Sequence, residues 1–158
     1  EGRGRASDYV FTTTQCYREA IDGLSSGTYN GEAIENWKQR LSTVFNRGFW
    51  DGYYLGRKMG EWSKVPGSEA TQKKLYVAKG LHYYDKIGVA EFDCEAYGLK
   101  VGDKVIVTGP TTGYIESQVK SIHLESGAVN EIQKGQTFTI PLPEKIRASD
   151  KLYKIVPA

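Results

Sequence analysis

LYVAKGLHYYDKIGVAEFDCE, residues 75–95, is the stretch that decides the fold class. Many of its apolar residues recur with a period of two, which is typical of strands that bury one face. The short Asp85-Lys86 link between Leu75–Tyr84 and Ile87–Glu95 predicts a β-hairpin. We therefore expect an antiparallel sheet built outward from this hairpin.

Further strands are predicted towards the C-terminus, separated by Gly-Asp, Gly-Pro, Ser-Gly and Lys-Gly turns. They are Lys104–Thr108, Tyr114–Leu124, Thr137–Leu142 and Lys151–Val156. The apolar phase within Tyr114–Leu124 slips by one residue between Val119 and Ile122, which predicts a β-bulge near Lys120 and Ser121. Six short strands without an intervening helix predict a small six-stranded antiparallel β-barrel.

Upstream of this region the apolar period is helical. In Ser7–Leu24 the apolar face comprises Val10, Tyr17, Ile21 and Leu24, with Thr14. In Gly31–Phe45 it comprises Ile34, Trp37, Leu41 and Val44. Ser7 or Asp8 is the expected N-cap of the first helix, and Gly23 to Gly27 its expected stop. The predicted fold is mainly β (α+β overall), with a helical hairpin over 1–45 and the barrel over 46–158.

Composition restricts the classes of protein that fit the chain. Of its 158 residues, 39% are hydrophobic and 25% are charged, which is typical of a folded globular protein. Lys and Arg number 21 against 19 Asp and Glu, and the resulting net charge of +2 is too small to argue for nucleic acid on charge alone. No apolar run approaches the roughly 20 residues that span a bilayer, so we expect no membrane partner.

The two cysteines, Cys16 and Cys94, lie far apart and form no C-x-x-C motif, which indicates a reducing, cytoplasmic setting. Paired with His82, Cys94 would be a nucleophile with its base. If Asp85-Lys86 is the hairpin tip, the two residues lie about five positions apart along the ladder, roughly 16 Å. We therefore interpret Cys94 as a core residue and predict no catalytic residue.

Metal and phosphate sites have simpler alternatives in this sequence. Four acidic residues around the hairpin, Asp85, Glu91, Asp93 and Glu95, could gather about a hard cation, but alternating acids on a strand are usually its solvated face. The Gly109–Gly113 loop has glycines and threonines yet lacks the lysine and the helix of a phosphate loop, so a tight turn at Pro110 is the simpler interpretation. We expect no metal and no cofactor.

A cluster of arginines and aromatics between the two halves is the best binding candidate. It comprises Arg47, Phe49, Trp50, Tyr53, Tyr54, Arg57 and Trp62. Guanidinium groups bind carbonyl, carboxylate or phosphate groups, and flat rings stack on peptides or bases. The alternative is that these rings plug the barrel against the helices while Arg47 holds a helix C-terminus.

Several segments carry a family resemblance. They are Glu1-Gly2-Arg3 with Ser7-Asp8-Tyr9-Val10, then Cys16–Asp22, Asn46–Gly56 (NRGFWDGYYLG), Val101–Lys104, Thr108–Gly113 and Ser149–Lys154. Together they resemble the C-terminal part of the collagenase-like peptidase family (U32). The resemblance implies a barrel like the second domain of translation elongation factors, and an accessory role. The family's catalytic signature lies upstream, and no catalytic or iron–sulfur residue can be carried onto this chain.

The sequence begins Glu1-Gly2-Arg3-Gly4-Arg5 without an initiator Met, and we expect a missing upstream catalytic domain as the chain's own partner. Three functions then stay open, since family members include peptidases of unknown catalytic type and RNA-base-hydroxylating enzymes. One is a non-catalytic domain that recognises peptide or protein substrate. Another is an RNA-binding barrel using Lys134, Lys145, Arg147, Lys151 and Lys154. The third is an architectural or dimerisation domain; the oligomeric state is left open.

Overall fold

The computed structural model describes residues 4–49, 56 and 66–158. By its packing the chain divides into two compact units, one up to Gln72 (grouped with Ala158) and the other Lys73–Pro157. We call them the helical unit and the sheet unit. The domain boundary between residues 45 and 46 stays a prediction, because packing units need not be the units that fold independently.

Helix α1 spans Ser7–Ser26, close to the predicted Ser7–Leu24. The predicted cap is wrong: Ala6 is the N-cap and makes no side-chain capping bond. Asp8 instead lies in the first turn, where a negative charge interacts favourably with the helix dipole. Gly27 ends the helix with φ 74°, the left-handed conformation that glycine adopts without a Cβ penalty.

The apolar face predicted for α1 is exposed within the described residues. The exposed fractions are 39% for Val10, 64% for Tyr17, 54% for Ile21 and 68% for Leu24. We call these four residues, together with Thr14, the apolar stripe. The buried residues of α1 are Cys16 and Gly23, so the side that packs is not the side with the most regular apolar spacing.

Helix α2 spans Gly31–Ser42 and begins at Asn30, whose side chain accepts a hydrogen bond from the Ala33 amide at 2.9 Å. The predicted end at Phe45 is three residues too late. The Thr43 hydroxyl donates to the Arg40 carbonyl at 2.7 Å and satisfies one of the last free acceptors of the helix. Short hydroxyl side chains compete with helical hydrogen bonding in this way.

Glu19 joins the two helices. Its carboxylate accepts hydrogen bonds from the Trp37 indole at 2.9 Å and from the Arg40 guanidinium at 2.5 Å. The Arg40 hydrogen bond is the largest cause that lowers the pKa of Glu19 below its ordinary value. Because all three groups lie on facing sides of α1 and α2, they fix how the hairpin closes.

Ten strands lie within the described residues. They are β1 Gln72–Tyr84, β2 Val89–Cys94, β3 Leu99–Lys100, β4 Lys104–Gly109, β5 Gly113–Gln118, β6 Ile122–Leu124, β7 Gly127–Val129, β8 Glu131–Ile132, β9 Thr137–Pro141 and β10 Lys151–Pro157. All six predicted strand segments are present, and the predicted hairpin is the β1–β2 pair. The sequence did not predict β3, β7 and β8, which are only two or three residues long.

The strands form a mostly antiparallel eight-stranded sheet in the order β5-β4-β10-β1-β2-β9-β6-β7, beside a two-stranded β3-β8 sheet. Among the described residues no ladder joins β5 to β7, so the predicted closed six-stranded barrel is wrong. The sheet stays open because of the path of the chain after β5. Strand β5 pairs with β4, but the next strand, β6, pairs with β7 and β9 at the other end of the sheet. The protein is mainly β with an N-terminal helical part.

The predicted bulge near Lys120 and Ser121 is also wrong, because the strand breaks there. Val119 bonds outside the ladder, donating to the Asp103 carbonyl at 2.9 Å. The phase of the apolar residues was nevertheless right, since Ile115, Val119 and Ile122 are all buried. A register shift does occur in β1, between Gly80 and His82, and it leaves Leu81 unpaired against β2.

The core of the sheet unit is apolar and closely packed. Phe92 on β2 and Phe138 on β9 face each other in register, with ring centroids 5.7 Å apart. Leu152 on β10 and Val77 on β1 are fully buried in the same cluster. Within the described residues no helix has the length and hydropathy needed to cross a bilayer.

Candidate functional site

After α2 the chain of the helical unit forms a turn that is built by Asn46. Its side-chain oxygen accepts a hydrogen bond from the Gly48 amide at 3.1 Å, and its side-chain nitrogen donates to the Val44 carbonyl at 2.9 Å. Gly48 has φ 82°, which a residue with a side chain rarely adopts. The Asn and Gly of the NRGF motif thus shape the turn, and Arg47 and Phe49 project from it exposed.

Arg47 and Phe49 line a cavity of about 660 Å³. We call it the helical cavity. Its other lining residues include Arg5, Tyr9, Thr13 and Tyr17, which recur every four residues on one ridge of α1 and its lead-in. This spacing was the signal that the sequence interpretation missed.

The helical cavity contains a preformed cation–aromatic arrangement. The Arg5 guanidinium carbon lies 3.8 Å from the centroid of the Phe45 ring and 6.0 Å from that of Tyr9. The Thr13 hydroxyl is buried and has no hydrogen-bond partner among the described residues. An unsatisfied buried hydroxyl costs about 1–3 kcal/mol.

Two members of the predicted aromatic and arginine cluster, Arg47 and Phe49, are therefore brought to one cavity. The other five lie outside the described residues. They are Trp50, Tyr53, Tyr54, Arg57 and Trp62.

The sheet unit has a concave surface of its own, of about 820 Å³. It is lined by the β1–β2 turn region over 81–87 and by the loop over 145–148, and we call it the sheet groove. Lys145 and Asp85 form an ion pair at 2.7 Å between the two segments. Within β1, the rings of His82 and Tyr84 meet edge-on at 4.7 Å.

The basic residues proposed for RNA binding differ in their surroundings, and two of them already have partners. Lys145 pairs with Asp85, and the Lys154 ammonium donates to the Gly98 carbonyl at 2.8 Å. Arg147 lines the sheet groove, while Lys134 and Lys151 are exposed elsewhere in the sheet unit.

Cys94 lies in the core of the sheet unit. It pairs with Ala78 and His82 pairs with Glu91, so the predicted register, Val77 and Val89, was off by one and by two positions. The reason is a wider turn, in which the Ile87 and Gly88 amides both donate to the Tyr84 carbonyl. The Cys94 thiol is 1% exposed, burial raises its pKa, and it contacts the Tyr97 carbonyl at 3.5 Å.

Three of the four acidic residues of the hairpin have separate partners. Glu91 accepts from the Tyr84 hydroxyl at 3.0 Å, Glu95 accepts from the Tyr76 hydroxyl, and Asp85 pairs with Lys145. Burial, followed by the hydrogen bond to Glu95, raises the pKa of Tyr76. In the part of the chain that the structure describes, no group of three or more acidic, His or Cys residues could hold a metal ion.

The Gly109–Gly113 loop is the tight turn between β4 and β5. Its Thr112 hydroxyl donates to Asp150, a carboxylate that is only 2% exposed and also accepts from the Arg147 amide at 2.8 Å. A Cβ on Gly109 would overlap a side-chain oxygen of Asp150. The loop therefore holds a buried carboxylate, and this negative charge disfavours a phosphate in the same place.

Comparisons with solved structures give weak fold-level matches. The C-terminal domain of a Geobacillus thermoleovorans protein assigned to the U32 peptidases aligns with TM-score 0.48 and 17% identity, over 50% of this chain and 90% of that one. GDP-bound aIF5B from Aeropyrum pernix aligns with TM-score 0.41 and 18% identity, over 52% of this chain and 17% of that one.

Sequence comparisons are much stronger. The chain is 52% identical over 154 residues to a Porphyromonas gingivalis protein named Collagenase, covering 98% of this chain and 37% of that protein. It is 32% identical over 156 residues to an uncharacterized protease of Methanocaldococcus jannaschii, covering 97% of this chain and 38% of that protein. The chain thus spans less than two-fifths of these relatives. The family model of peptidase family U32 matches residues 1–64, and the similarity to the two named relatives extends over nearly the whole of this chain.

Proposed function

We propose that the chain recognises and positions an extended peptide substrate for a U32 peptidase and performs no bond cleavage itself. The observation that carries this proposal is the helical cavity, where Arg5, Arg47 and Phe49 line the same space as the rings of Tyr9 and Tyr17. The cavity volume of about 660 Å³ lies within the range of ligand sites.

The chemistry of the cavity suits a proline-rich peptide. Polyproline II segments have no internal hydrogen bonds, so their carbonyls are available to donors, and they dock in aromatic-lined grooves. Tyr9, Tyr17 and Phe49 offer such rings, while Arg5 and Arg47 offer donors. Because two relatives carry the name Collagenase, we propose denatured collagen, which is rich in glycine and proline, as the substrate class.

Fluorescence anisotropy with a labelled denatured-collagen peptide tests the proposal directly. We expect binding by this chain that persists at physiological salt, because stacking and neutral hydrogen bonds are less sensitive to screening than exposed ion pairs. Phe49→Ala and Arg47→Ala should each weaken binding about tenfold, which is the size expected for one lost charge-assisted hydrogen bond or anchor ring.

Arg18→Ala is the matched control, since it removes an exposed arginine of the helical unit that does not line the helical cavity. Its affinity for the collagen peptide should equal that of the unmodified chain. Absence of binding at millimolar peptide, or equal losses in Arg47→Ala and Arg18→Ala, would refute peptide recognition by the helical cavity.

A second candidate function is architectural, and the apolar stripe of α1 favours it. Monomeric proteins rarely leave a contiguous apolar face uncovered, and such faces mark interaction sites. The relatives are more than twice as long as this chain, so we propose that the remainder of the longer family polypeptide covers the stripe.

This candidate predicts a difference between two contexts. Replacing Ile21 and Leu24 together by serine should lower the thermal midpoint of the longer polypeptide and leave that of this chain unchanged. Glu35→Ser on the exposed side of α2 is the control for a surface change. Equal midpoints in the longer polypeptide would reject the candidate, and light scattering that shows this chain as a dimer would assign the stripe to self-association.

RNA binding stays a prediction of the family resemblance. Two of its five basic residues, Lys145 and Lys154, already have partners in the sheet unit. Labelled tRNA at low and physiological salt tests it, because phosphate contacts weaken steeply as salt rises.

A further inference from the structure

We infer that the sheet groove is a second binding site, which takes the free C-terminal carboxylate of a peptide ending in an apolar residue. The site lies in the sheet unit and has its own probe, so it stands or falls independently of the helical cavity. Four features of the groove support the inference. They are a rigid backbone framework, an apolar wall, two cations without an ion pair among the described residues, and an ion pair that joins the two walls.

The frame is fixed by backbone bonds between β1 and the loop before β10. The Gly80 amide donates to the Asp150 carbonyl at 2.7 Å, and the Ser149 amide donates to the Gly80 carbonyl at 2.8 Å. A Cβ on Gly80 would lie 3.0 Å from the Arg147 carbonyl, so any other residue would require the loop to shift by a few tenths of an ångström. The buried Asp150 carboxylate then holds the Arg147 amide, and the loop needs little ordering when a ligand arrives.

The apolar wall comes from the register shift in β1. Leu81 is the unpaired residue of that shift, and a bulge of this kind turns a side chain away from its regular face. Leu81 is 40% exposed, Tyr84 40% and Ile87 70%, and all three line the groove. Together these three residues form a hydrophobic surface near the β1–β2 turn, against which one apolar side chain of the ligand can pack.

The charge of the groove is positive. Lys86, Lys145 and Arg147 line it against one acidic side chain, Asp85, which is paired with Lys145. Lys86 and Arg147 make no ion pair within the described part of the chain. Arginine binds carboxylates with a planar pair of donors, so a carboxylate is the ligand group that these cations fit.

The ion pair that joins the two walls of the groove favours a ligand that ends there, such as the C-terminus of a peptide. The ion pair of Lys145 and Asp85 joins the hairpin turn to the facing loop at 2.7 Å. A peptide that continued along the groove would have to displace this pair, whereas a terminus can stop beside it. Any peptide hydrolysis releases a terminal carboxylate on its acyl-side product, so the groove would hold such a product when its last residue is apolar.

The test compares two forms of one labelled peptide, Gly-Ser-Gly-Ser-Leu, with a free or an amidated C-terminus. The free acid should bind at least tenfold more tightly than the amide, because amidation removes the charge that Lys86 and Arg147 would bind. Arg147→Ala should abolish most of this discrimination. Ile87→Ser should weaken the binding of both forms by a similar factor.

Lys120→Ala is the control and should leave the acid-to-amide ratio unchanged, because this exposed cation of the sheet unit does not line the groove. A second probe ending in Glu amide separates a terminal from a side-chain carboxylate, and it should bind no better than the Leu amide. Equal binding of acid and amide, no binding of either, or tight binding of the Glu amide would each overturn the inference. Circular dichroism of the Arg147→Ala chain verifies that the fold is kept.

Discussion

The apolar residues of helix α1 and of strand β2 are equally regular in their spacing, but those of β2 are buried and those of α1 are exposed. Along β2 every second residue is buried, and Phe92 is fully inaccessible in the core of the sheet unit. Along α1 the stripe from Val10 to Leu24 faces outward, with Leu24 68% exposed. A periodic pattern therefore predicts which side of an element is apolar, but not what covers that side.

The difference follows from how each element finds its partners. Strand β2 is hydrogen-bonded to β1 along one edge and to β9 along the other. Its inward side chains therefore pack among those of the neighbouring strands in the core of the sheet unit. Helix α1 meets α2 through Glu19, Trp37 and Arg40, on the side that also contains Cys16. One short partner helix can cover only one side of it.

Among the substitutions that test this comparison, the largest loss of stability is expected at Phe92. Phe92→Ala removes a fully buried ring that stacks on Phe138 at 5.7 Å, and it should lower the free energy of unfolding by about 3–5 kcal/mol. Urea unfolding followed by far-ultraviolet circular dichroism measures this change. Tyr97→Ala, at a 54% exposed ring, is the control and should change stability by less than about 0.5 kcal/mol.

A comparable loss in the two variants would contradict the assignment of the core to the sheet unit. It would mean that exposure in this structure does not separate core from surface aromatics, and the contrast between β2 and α1 would lose its basis.

The elements themselves were largely predictable from local pattern. Both helices and all six longer strands follow from their apolar periods, and the core phase at Ile115 and Ile122 was correct. Sheet closure was not predictable, because it depends on whether β5 and β7 meet across the sheet, and pairing over such distances leaves no local signal. Strands as short as β3 and β8 contain too few residues to show a period.

The site was predictable only in part. Arg47 and Phe49 were identified from their residue types, but the helical cavity also needs Arg5 and Thr13, whose role depends on how α1 lies against the end of α2. The buried carboxylate of Asp150 had no sequence signal at all. Its partners come from the β4–β5 turn and from its own loop, and only the folded chain brings them together.

The next largest effect is expected at Gly109, where the sheet unit tolerates no side chain. A Cβ there would overlap a side-chain oxygen of Asp150, so Gly109→Ala must push a buried carboxylate away from the Thr112 hydroxyl. We expect a loss of about 1–3 kcal/mol. Gly31→Ala at the start of α2 is the control, since a Cβ at this position would meet no atom within 4 Å, and it should be neutral or slightly stabilising.

Thermal midpoints of the two variants measure the contrast. If Gly109→Ala unfolds at the same temperature as the unmodified chain, Asp150 is not packed against the turn, and the frame of the sheet groove is not rigid.

A smaller effect is expected in the helical unit, where polar contacts take over part of the role of a core. Arg40 lowers the pKa of Glu19, so the Glu19 contribution is present above the ordinary carboxyl range and disappears as pH falls through the lowered pKa. At neutral pH we expect Glu19→Gln to cost about 0.5–1 kcal/mol, because the group is partly exposed. Urea unfolding at pH 7 and at pH 3 should show the difference between variant and unmodified chain shrinking at the lower pH.

Glu35→Gln is the control for this measurement, because its ion pair with Lys38 lies on one helix and is more exposed. Little or no loss in Glu19→Gln at either pH would indicate that the hydrogen bond from Trp37, which an amide oxygen also accepts, and not the charge of Arg40 holds the helices together.

The smallest effect is expected on the apolar stripe, and it is the sharpest test of the comparison. Leu24→Ser replaces a large side chain that is 68% exposed, so stability should change by less than about 0.5 kcal/mol, in contrast to the loss at Phe92. Urea unfolding at two protein concentrations about tenfold apart measures it. If Leu24→Ser costs about 2 kcal/mol or more, and more at the higher concentration, a second copy covers the stripe in solution and α1 has the buried face that its sequence pattern predicts. A concentration-independent value near zero leaves the stripe open in this chain, as expected if its partner is the remainder of the longer polypeptide.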